Sequence, residues 1–426
     1  MKHLKELPEI LAADFERKWN AFCIESEKAN ISLPENPEFL KTLKLVFVFS
    51  DFVAVSCTRN PEMLTGLIES SDLQQRYSPD TYNYKIKTSL VEAKDDNTLE
   101  QILRRIRTRE MVRIAWRDLT GLADLSETMS DLSAFADACI DHTLSILYDR
   151  QCTKFGIPTG SDNLPLRLIV IGMGKLGGHE LNFSSDVDLI FAFAEQGKTK
   201  QGPESISNEE FFLRLCRQLI RIIGKATPAG FVFRVDTRLR PFGENGPLCM
   251  SFDAMEQYYQ RQGREWERYA WIKARVVAGD KEAGKQLLEK LNPFIYRRYL
   301  DFGVFESLRD MKNNISLEVK KKGMKEDIKL GPGGIREIEF FGQVFQLIRG
   351  GVVPSLQERQ IQKVLRILAR EGYFSQYVCD ELLQAYEFLR KAEHRLQEFS
   401  DQQTHKLPSD PVGRERLTVS MGFDDY

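Results

Sequence analysis

Asp186 and Asp188 stand two residues apart at the head of an apolar run, Asp186 to Phe193 (DVDLIFAF). On a strand, residues i and i+2 point to one face, so the two carboxylates project together. Two ionised carboxylates side by side repel unless something compensates them. A divalent cation does so, and Mg²⁺ or Mn²⁺ takes oxygen ligands of this kind. A solvated strand end is the plainer reading of an isolated DxD. A third acid shifts the balance. In Phe231 to Arg240 (FVFRVDTRLR), strand alternation puts Arg234, Asp236, Arg238 and Arg240 on one face and Phe233, Val235 and Leu239 on the other, buried one. If this strand pairs with 186–193, Asp186, Asp188 and Asp236 converge on a pair of metal ions. The arginines then hold phosphate oxygens nearby. Two such ions ~3.5–4 Å apart clamp the attacking and leaving oxygens of an in-line phosphoryl or nucleotidyl displacement.

The segment before these acids, Gly172 to Asp188, reads GMGKLGGHELNFSSDVD. Its first six residues match GxGxxG after a strand, a dinucleotide fingerprint on its face. The context excludes it. A dinucleotide fold needs a full crossover helix and an acid at the far end of the next strand. Here only residues 178–185 intervene, and the acids stand at the strand's entry. A Walker A loop fails too, because Lys175 is followed by Leu176 rather than Ser or Thr. Weaker signals lie elsewhere. Gly333, Gly334 and Arg336 open a helix, which is either an anion site or a tight turn needing positive φ. Lys273 and Arg275 close a helix REWERYAWIKAR, where they reach phosphate or cap its terminus. Lys320, Lys321 and Lys322 read as a solvated face, with partner binding as the alternative. His179 reads as incidental.

The elements that must position these groups follow from periodicity. Residues 1 to about 122 read as helical. Glu100 to Asp118 carries an apolar stripe, while Arg105, Arg109, Arg113 and Arg117 recur every fourth residue along one ridge. Two readings of that ridge are open: a solvated face, or a basic ridge toward a phosphate-bearing substrate or an acidic domain surface. Ser126 to Tyr148 is a second long helix, and Gly156 to Pro165 breaks the pattern. Leu166 to Ile171 and Asp186 to Phe193 are strands, Glu195 to Asn208 is a loop, Phe211 to Gly224 is a helix, and 231–239 is a strand stopped by Pro241. Asp253 to Val277 reads as one helix. Four or five more follow Leu287, one opened by Gly331 to Gly334 and ended by Gly350-Gly351. The expected architecture is mainly α with a central α/β unit: helices over 1–122, a mixed-sheet catalytic domain over 123–276, and a helical bundle over 277–426. The chain stops at GFDDY without a stop signal in the pattern, as a piece of something longer would.

Composition bounds the partners. With 426 residues, 60 Lys plus Arg and 62 Asp plus Glu, the net charge is −2, which argues against a nucleic-acid coater. No segment approaches the ~20 apolar residues that span a bilayer. The N-terminus has no apolar signal core. Seven scattered Cys without CxxC fit a reduced cytoplasmic compartment, and five dispersed His argue against zinc.

The glycine-rich loop after a strand, the short helix, DxD and a later Asp resemble the polymerase-β-like nucleotidyltransferases. Within that group, GMGKLGGHELNFSSDVDLIF is similar to the glutamine synthetase adenylyltransferases, which add AMP to a tyrosine of glutamine synthetase and remove it again. FRVDTRLRPFGENGPL, REWERYAWIKAR and IKLGPGGIREIEF resemble further blocks of that family in order, from Ser50 to Pro408. IREIEF resembles the first of the family's two catalytic halves, the adenylyl-removing one. The resemblance implies orthophosphate attack on the AMP–tyrosine phosphodiester, with ADP released. It implies two Mg²⁺ or Mn²⁺ ions on Asp186, Asp188 and Asp236, nucleotide contacts near Gly174, Lys175, Lys273, Gly334 and Arg336, and a PII-type signal protein as regulator. Many superfamily members carry Gly-Ser where this chain has Gly174-Lys175, so Ser184 and Ser185 become the hydroxyl candidates. Adenylylation from ATP needs the same acids, and a regulatory module without catalysis is the reading from another class.

Overall fold

The computed structural model describes residues 7–32, 36–228, 230–297, 306, 309–310 and 326–426. Lys320, Lys321 and Lys322 lie outside the described residues. The chain opens with helices α1 (Glu9–Lys28), α2 (Pro37–Phe49), α3 (Asp51–Arg59), α4 (Pro61–Glu69), α5 (Pro79–Ser89), α6 (Asp96–Leu119) and α7 (Leu125–Phe155). The start signals are local. The Asp95 and Asp124 side chains accept from the backbone N–H of Thr98 and Glu127 at 2.7 and 2.8 Å, satisfying donors that a helix N-terminus leaves orphaned. The long α7 ends at Gly156, whose φ of 81° belongs to glycine and where a Cβ would sit 2.3 Å from the Lys200 carbonyl.

The arginine ridge of α6 is mostly not a solvated face: three of its four arginines meet acids on neighbouring elements, the acidic-surface form of the second reading, and no phosphate site is built on them. Arg113 is fully buried, with Asp131 at 2.9 Å and the Tyr77 ring 3.4 Å from its Cζ. Arg117 pairs with Glu127 at 2.7 Å, and Arg109 with Asp72 and Glu110. These three tie α6 to α7 and to the loop after α4. Only Arg105 is exposed. A guanidinium keeps its charge when buried, so its burial is tolerated only where its donors are met, and the acids on the neighbouring elements meet them.

Seven short strands follow among the described residues: β1 (Ile157–Pro158), β2 (Ile169–Gly172), β3 (Val187–Phe193), β4 (Thr199–Lys200), β5 (Val235–Asp236), β6 (Cys249–Ser251) and β7 (Arg275–Gly279). β1 and β4 form a separate ladder. In the main sheet, β2 lies between β3 and β7, antiparallel to both. β5 and β6 share the far edge of β3, both parallel to it, one at its start and one at its end. The apolar runs of β2 and β3 are continuous because both sheet faces are covered. Val170, Leu189 and Phe191 join the core with α1 to α7 and with α9 (Asn208–Gly224). Ile169, Ile171, Ile190 and Ala192 pack instead against α10 (Phe252–Arg261), α11 (Glu265–Trp271) and α12 (Lys281–Ile295).

Two expected elements differ. The stretch 253–277 is not one helix: α10 ends at Arg261, α11 covers Glu265–Trp271, and Arg275 opens β7. Gly263 sits between the helices, packed against Phe294 and the Tyr259 carbonyl where no Cβ fits. The strand over 231–239 shrinks to Val235–Asp236, because the Asp236 carboxylate accepts from the Arg238 backbone N–H and turns the chain. Arg238 and Arg240 therefore do not lie on a strand face with Arg234. The chain closes with α13 (Ile335–Arg349), α14 (Ile361–Arg370), α15 (Gln376–Ser400) and α16 (Pro411–Met421). Gly334 precedes α13 and Gly350 follows it, as the glycine pairs suggested. No helix among the described residues is long and apolar enough to cross a membrane.

Candidate active site

The three acids meet through sheet register. β3 and β5 run parallel with Val187 opposite Val235 and Asp188 opposite Asp236. Paired residues of neighbouring strands project to one face. Asp186 precedes Asp188 by two and lines the same cavity of about 940 Å³ with Asp236, Gly174, Lys175 and Ser185. Asp186 accepts from Arg234 Nε at 2.8 Å, and Asp236 from Arg238 Nε at 2.9 Å. These arginines draw the outer acids aside, and the three carboxylates do not all come within 4.8 Å of one another. Asp188 makes no side-chain hydrogen bond among the described residues. Burial, then the charges of Asp236 and Asp186, push its carboxyl up to about 6. A half-buried oxygen donor set with too little positive charge beside Asp188 fits a hard divalent cation.

The loop ahead of them is shaped by close approach. The Met173 N–H donates to the Asp188 carbonyl at 2.9 Å, and Gly174, at φ 52°, opens the single helical turn α8 (Gly174–Gly177). A Cβ at Gly174 would lie 2.9 Å from Asp188 Oδ2, so the position admits only glycine without rearrangement. Ser184 is buried, and its hydroxyl faces Arg234 Nη2 at 3.0 Å. The Ser185 hydroxyl accepts from the Asn182 N–H at 3.3 Å. Arg240 bridges the Thr237, Glu244 and Gly246 carbonyls. Arg234, Arg238 and Arg240 still share a smaller adjoining cavity of about 470 Å³ with Asp186 and Asp236.

Lys273 does not cap a helix. It is buried with Glu180 at 2.7 Å and Glu339 at 2.8 Å. The glycines before α13 form a tight turn, Gly333 at φ 74°, and the Glu337 carboxylate already accepts from the Gly333 N–H at 2.9 Å. Arg336 nevertheless reaches the large cavity, as does Lys329, and neither side chain has a hydrogen-bond or ion-pair partner among the described residues. Lys329 was missed in the sequence because nothing in its local pattern marks it. His179 follows the short turn with φ 55°, and burial lowers its imidazole to about 4.

The larger omission is α15. Tyr386, Arg390, Glu393 and Gln397 recur at helical spacing on one buried face. Glu393 lies 3.0 Å from Lys175 and 2.9 Å from His405. Arg390 donates to the Glu180 carbonyl at 2.6 Å, and Gln397 accepts from the Ser184 N–H at 2.9 Å. Burial alone would raise the Glu393 carboxyl. Lys175, His405 and Arg390 outweigh it and hold it well below the ordinary carboxylate range. Burial lowers the Lys175 ammonium to about 7, with Lys329 and Arg390 adding to the effect. The signal that could have found this was a polar stripe where the helix must be buried. One turn on, Asp118, His394 and Glu398 bring ligand atoms within 4.8 Å of one another. Arg395 lies 3.1 Å from Asp118 and 2.7 Å from Glu398, so that cluster already holds its own cation.

A small mixed sheet that brings a glycine-opened turn and three carboxylates to one cavity, within a mostly helical chain, is a nucleotidyltransferase arrangement. Comparison with known proteins narrows it: the chain belongs to the glutamate-ammonia ligase adenylyltransferase family, whose profile matches residues 40–290. A PII-uridylyltransferase profile matches residues 309–426. The chain is 50% identical over 425 residues to a bifunctional glutamine synthetase adenylyltransferase/adenylyl-removing enzyme of Nitrosococcus oceani, covering 100% of this chain and 44% of that protein. It is 52% identical over 390 residues to a protein of the same description from Pseudomonas aeruginosa, covering 91% and 40%. A third such relative, from Thioalkalivibrio sulfidiphilus, is 48% identical over 423 residues, covering 99% and 43%. The chain thus spans less than half the length of these curated relatives.

Proposed function

We propose that this chain removes AMP from a tyrosine of glutamine synthetase by phosphorolysis: orthophosphate attacks the AMP–tyrosine phosphodiester, and ADP and free tyrosine leave. The observation that carries nucleotidyl transfer is the Asp188–Asp236 register, with Asp186 beside it, at a cavity large enough for a nucleotide; the direction, removal rather than addition, rests on the resemblance of IREIEF (335–340) to the first catalytic half of the family. The names of the relatives supply the protein substrate. In this reading the sheet is of the polymerase-β type, the catalytic domain covers 123–276 between helical regions 1–122 and 277–426, and the enzyme works in the cytoplasm. The similarity over 309–426 supports a PII-type signal protein as regulator.

Asp186, Asp188 and Asp236 would hold two Mg²⁺ or Mn²⁺ ions. Bound there, such ions offset the repulsion between two phosphates and stabilise charge on the departing tyrosyl oxygen. The chain's own groups do the rest. Trp266, Tyr269 and Leu239 present flat apolar surface in the large cavity for the adenine. Lys329 and Arg336, without a side-chain partner among the described residues, meet the phosphate of AMP. Arg234, Arg238 and Arg240 are the cations of the smaller cavity, matched there by Asp186, Asp236 and Glu244; with ions on Asp186 and Asp236 the arginines would be left to orient orthophosphate as the nucleophile. Lys175, anchored by Glu393, and the Ser184 and Ser185 backbone keep the loop against the acids, while Lys273 and Gly334 hold the opposite wall. Tyrosine, with a reference pKa of about 10, leaves without a strong general acid. The test is the product released from adenylylated glutamine synthetase at millimolar orthophosphate, which this reading requires to be ADP.

A further inference from the structure

We propose that the cleft between α3, α6 and the segment leading into β5 is a second ligand site, built for a small organic monocarboxylate and coupled to Asp186. Its volume is about 930 Å³, close to the 940 Å³ of the cavity at the acids, and the two share no lining residue. Phe52, Val55 and Phe231 form its apolar wall, and Val55 is 46% exposed there.

The polar groups in this cleft divide sharply. Arg107 is engaged with Asp401 at 2.7 Å, and Arg109 with Asp72 and Glu110. Arg59 and Arg105 are both exposed and have no hydrogen-bond or ion-pair partner among the described residues. Asn60 heads α4, yet its side chain makes no capping bond. Among the acids of the cleft, Asp51 pairs with Lys18 and Asp401 with Arg107, which leaves Glu62. Two free guanidiniums against one free carboxylate leave a single uncompensated positive charge. That matches a ligand with one negative charge and an apolar body, held by bidentate guanidinium bonds and an aromatic wall.

The position of the cleft makes it more than a pocket. The Phe231 ring lies 4.7 Å from Arg107 Cζ in the cleft and 5.0 Å from Arg234 Cζ beyond it. Arg234 holds Asp186 at 2.8 Å. Arg107 also donates to the Val232 carbonyl, three residues before β5. A carboxylate at Arg59 and Arg105 therefore acts one aromatic ring and one ion pair away from the acids. Such a ligand biases them only through its different affinity for two arrangements of that chain of contacts.

The experiment uses the whole chain with phenylacetate, phenyl phosphate and benzyl alcohol as probes, by calorimetry in EDTA. Phenylacetate is expected to bind and the neutral alcohol not. Its affinity is expected to fall about tenfold or more in Arg59→Ala and in Arg105→Ala, both exposed positions whose circular dichroism stays that of wild type. Arg238→Ala, in the other cavity, leaves it unchanged. No binding at millimolar phenylacetate, equal binding in Arg105→Ala, or loss in Arg238→Ala overturns the site. Tighter binding of phenyl phosphate overturns the monocarboxylate assignment. For the coupling, Mn²⁺ affinity is read by electron paramagnetic resonance. Saturating phenylacetate is expected to shift it at least about twofold in wild type and not in Phe231→Leu. The same affinity with and without phenylacetate in wild type overturns the coupling.

Discussion

Asp188 and Asp236 face each other across the parallel β3–β5 ladder, one step along from Val187 and Val235. Arg238 holds the Asp236 carboxyl below its ordinary range, but Asp188, buried with Asp236 and Asp186 beside it and no cation of its own among the described residues, costs stability. Asp188→Asn is therefore expected to abolish phosphorolysis while raising stability in EDTA at pH 8. A carboxyl pushed up to about 6 implies a cost on the order of 3 kcal/mol that the amide does not carry. Urea unfolding of both proteins checks it. Near-normal activity at saturating Mg²⁺, or a clear loss of stability, would count against the assignment.

Gly174→Ala tests the loop. A Cβ at φ 52° is strained, and it would also press on Asp188 Oδ2. The expected outcome is a loss of about 1–3 kcal/mol in unfolding free energy together with weakened Mn²⁺ binding. A stable variant with wild-type Mn²⁺ affinity would mean the loop does not set the position of Asp188.

Three-residue segments carried most of what could be read in the sequence. The DVD spacing and the strand around it fix a shared face whatever surrounds them, so Asp186 and Asp188 were legible. Asp236 was legible because one acid on an otherwise core-forming run is unusual. Arg238 and Arg240 were misplaced, since alternation continues on paper past a turn that the Asp236 side chain itself creates. The break in 253–277 was hidden because the close approach to Phe294 at Gly263 is tertiary. Glu393, which lies 218 residues from Lys175, could not be paired with it by any local pattern.

The α6 ridge gives a contrast between two arginines of identical type. Arg113→Ala leaves Asp131 buried without its cation and is expected to cost about 3–5 kcal/mol. Arg105→Ala removes an exposed side chain with no partner among the described residues and is expected to change stability by less than about 0.5 kcal/mol. Denaturant midpoints for the pair check this. Equal effects would mean the ridge is not divided as the ion pairs indicate.

Lys175 links pH to stability. Its ammonium is lowered to about 7 in the folded chain, against 10.5 as the ordinary value. Between those values the unfolded chain binds more protons than the folded one, so this group's contribution to stability rises with pH. The melting temperature of wild type minus that of Lys175→Met is thus expected to increase from pH 7 to pH 9. A difference that is flat or falls over that interval would show that the ammonium keeps its proton.

The most direct measurement of the central claim is chromatography of the small-molecule product from adenylylated glutamine synthetase, this chain, Mg²⁺ and millimolar orthophosphate. ADP as the main product, rising with orthophosphate and absent with Asp188→Asn, is the result this reading requires. AMP as the main product would mean hydrolysis. Tyrosine adenylylation from ATP, with no release under orthophosphate, would assign the chain the opposite reaction.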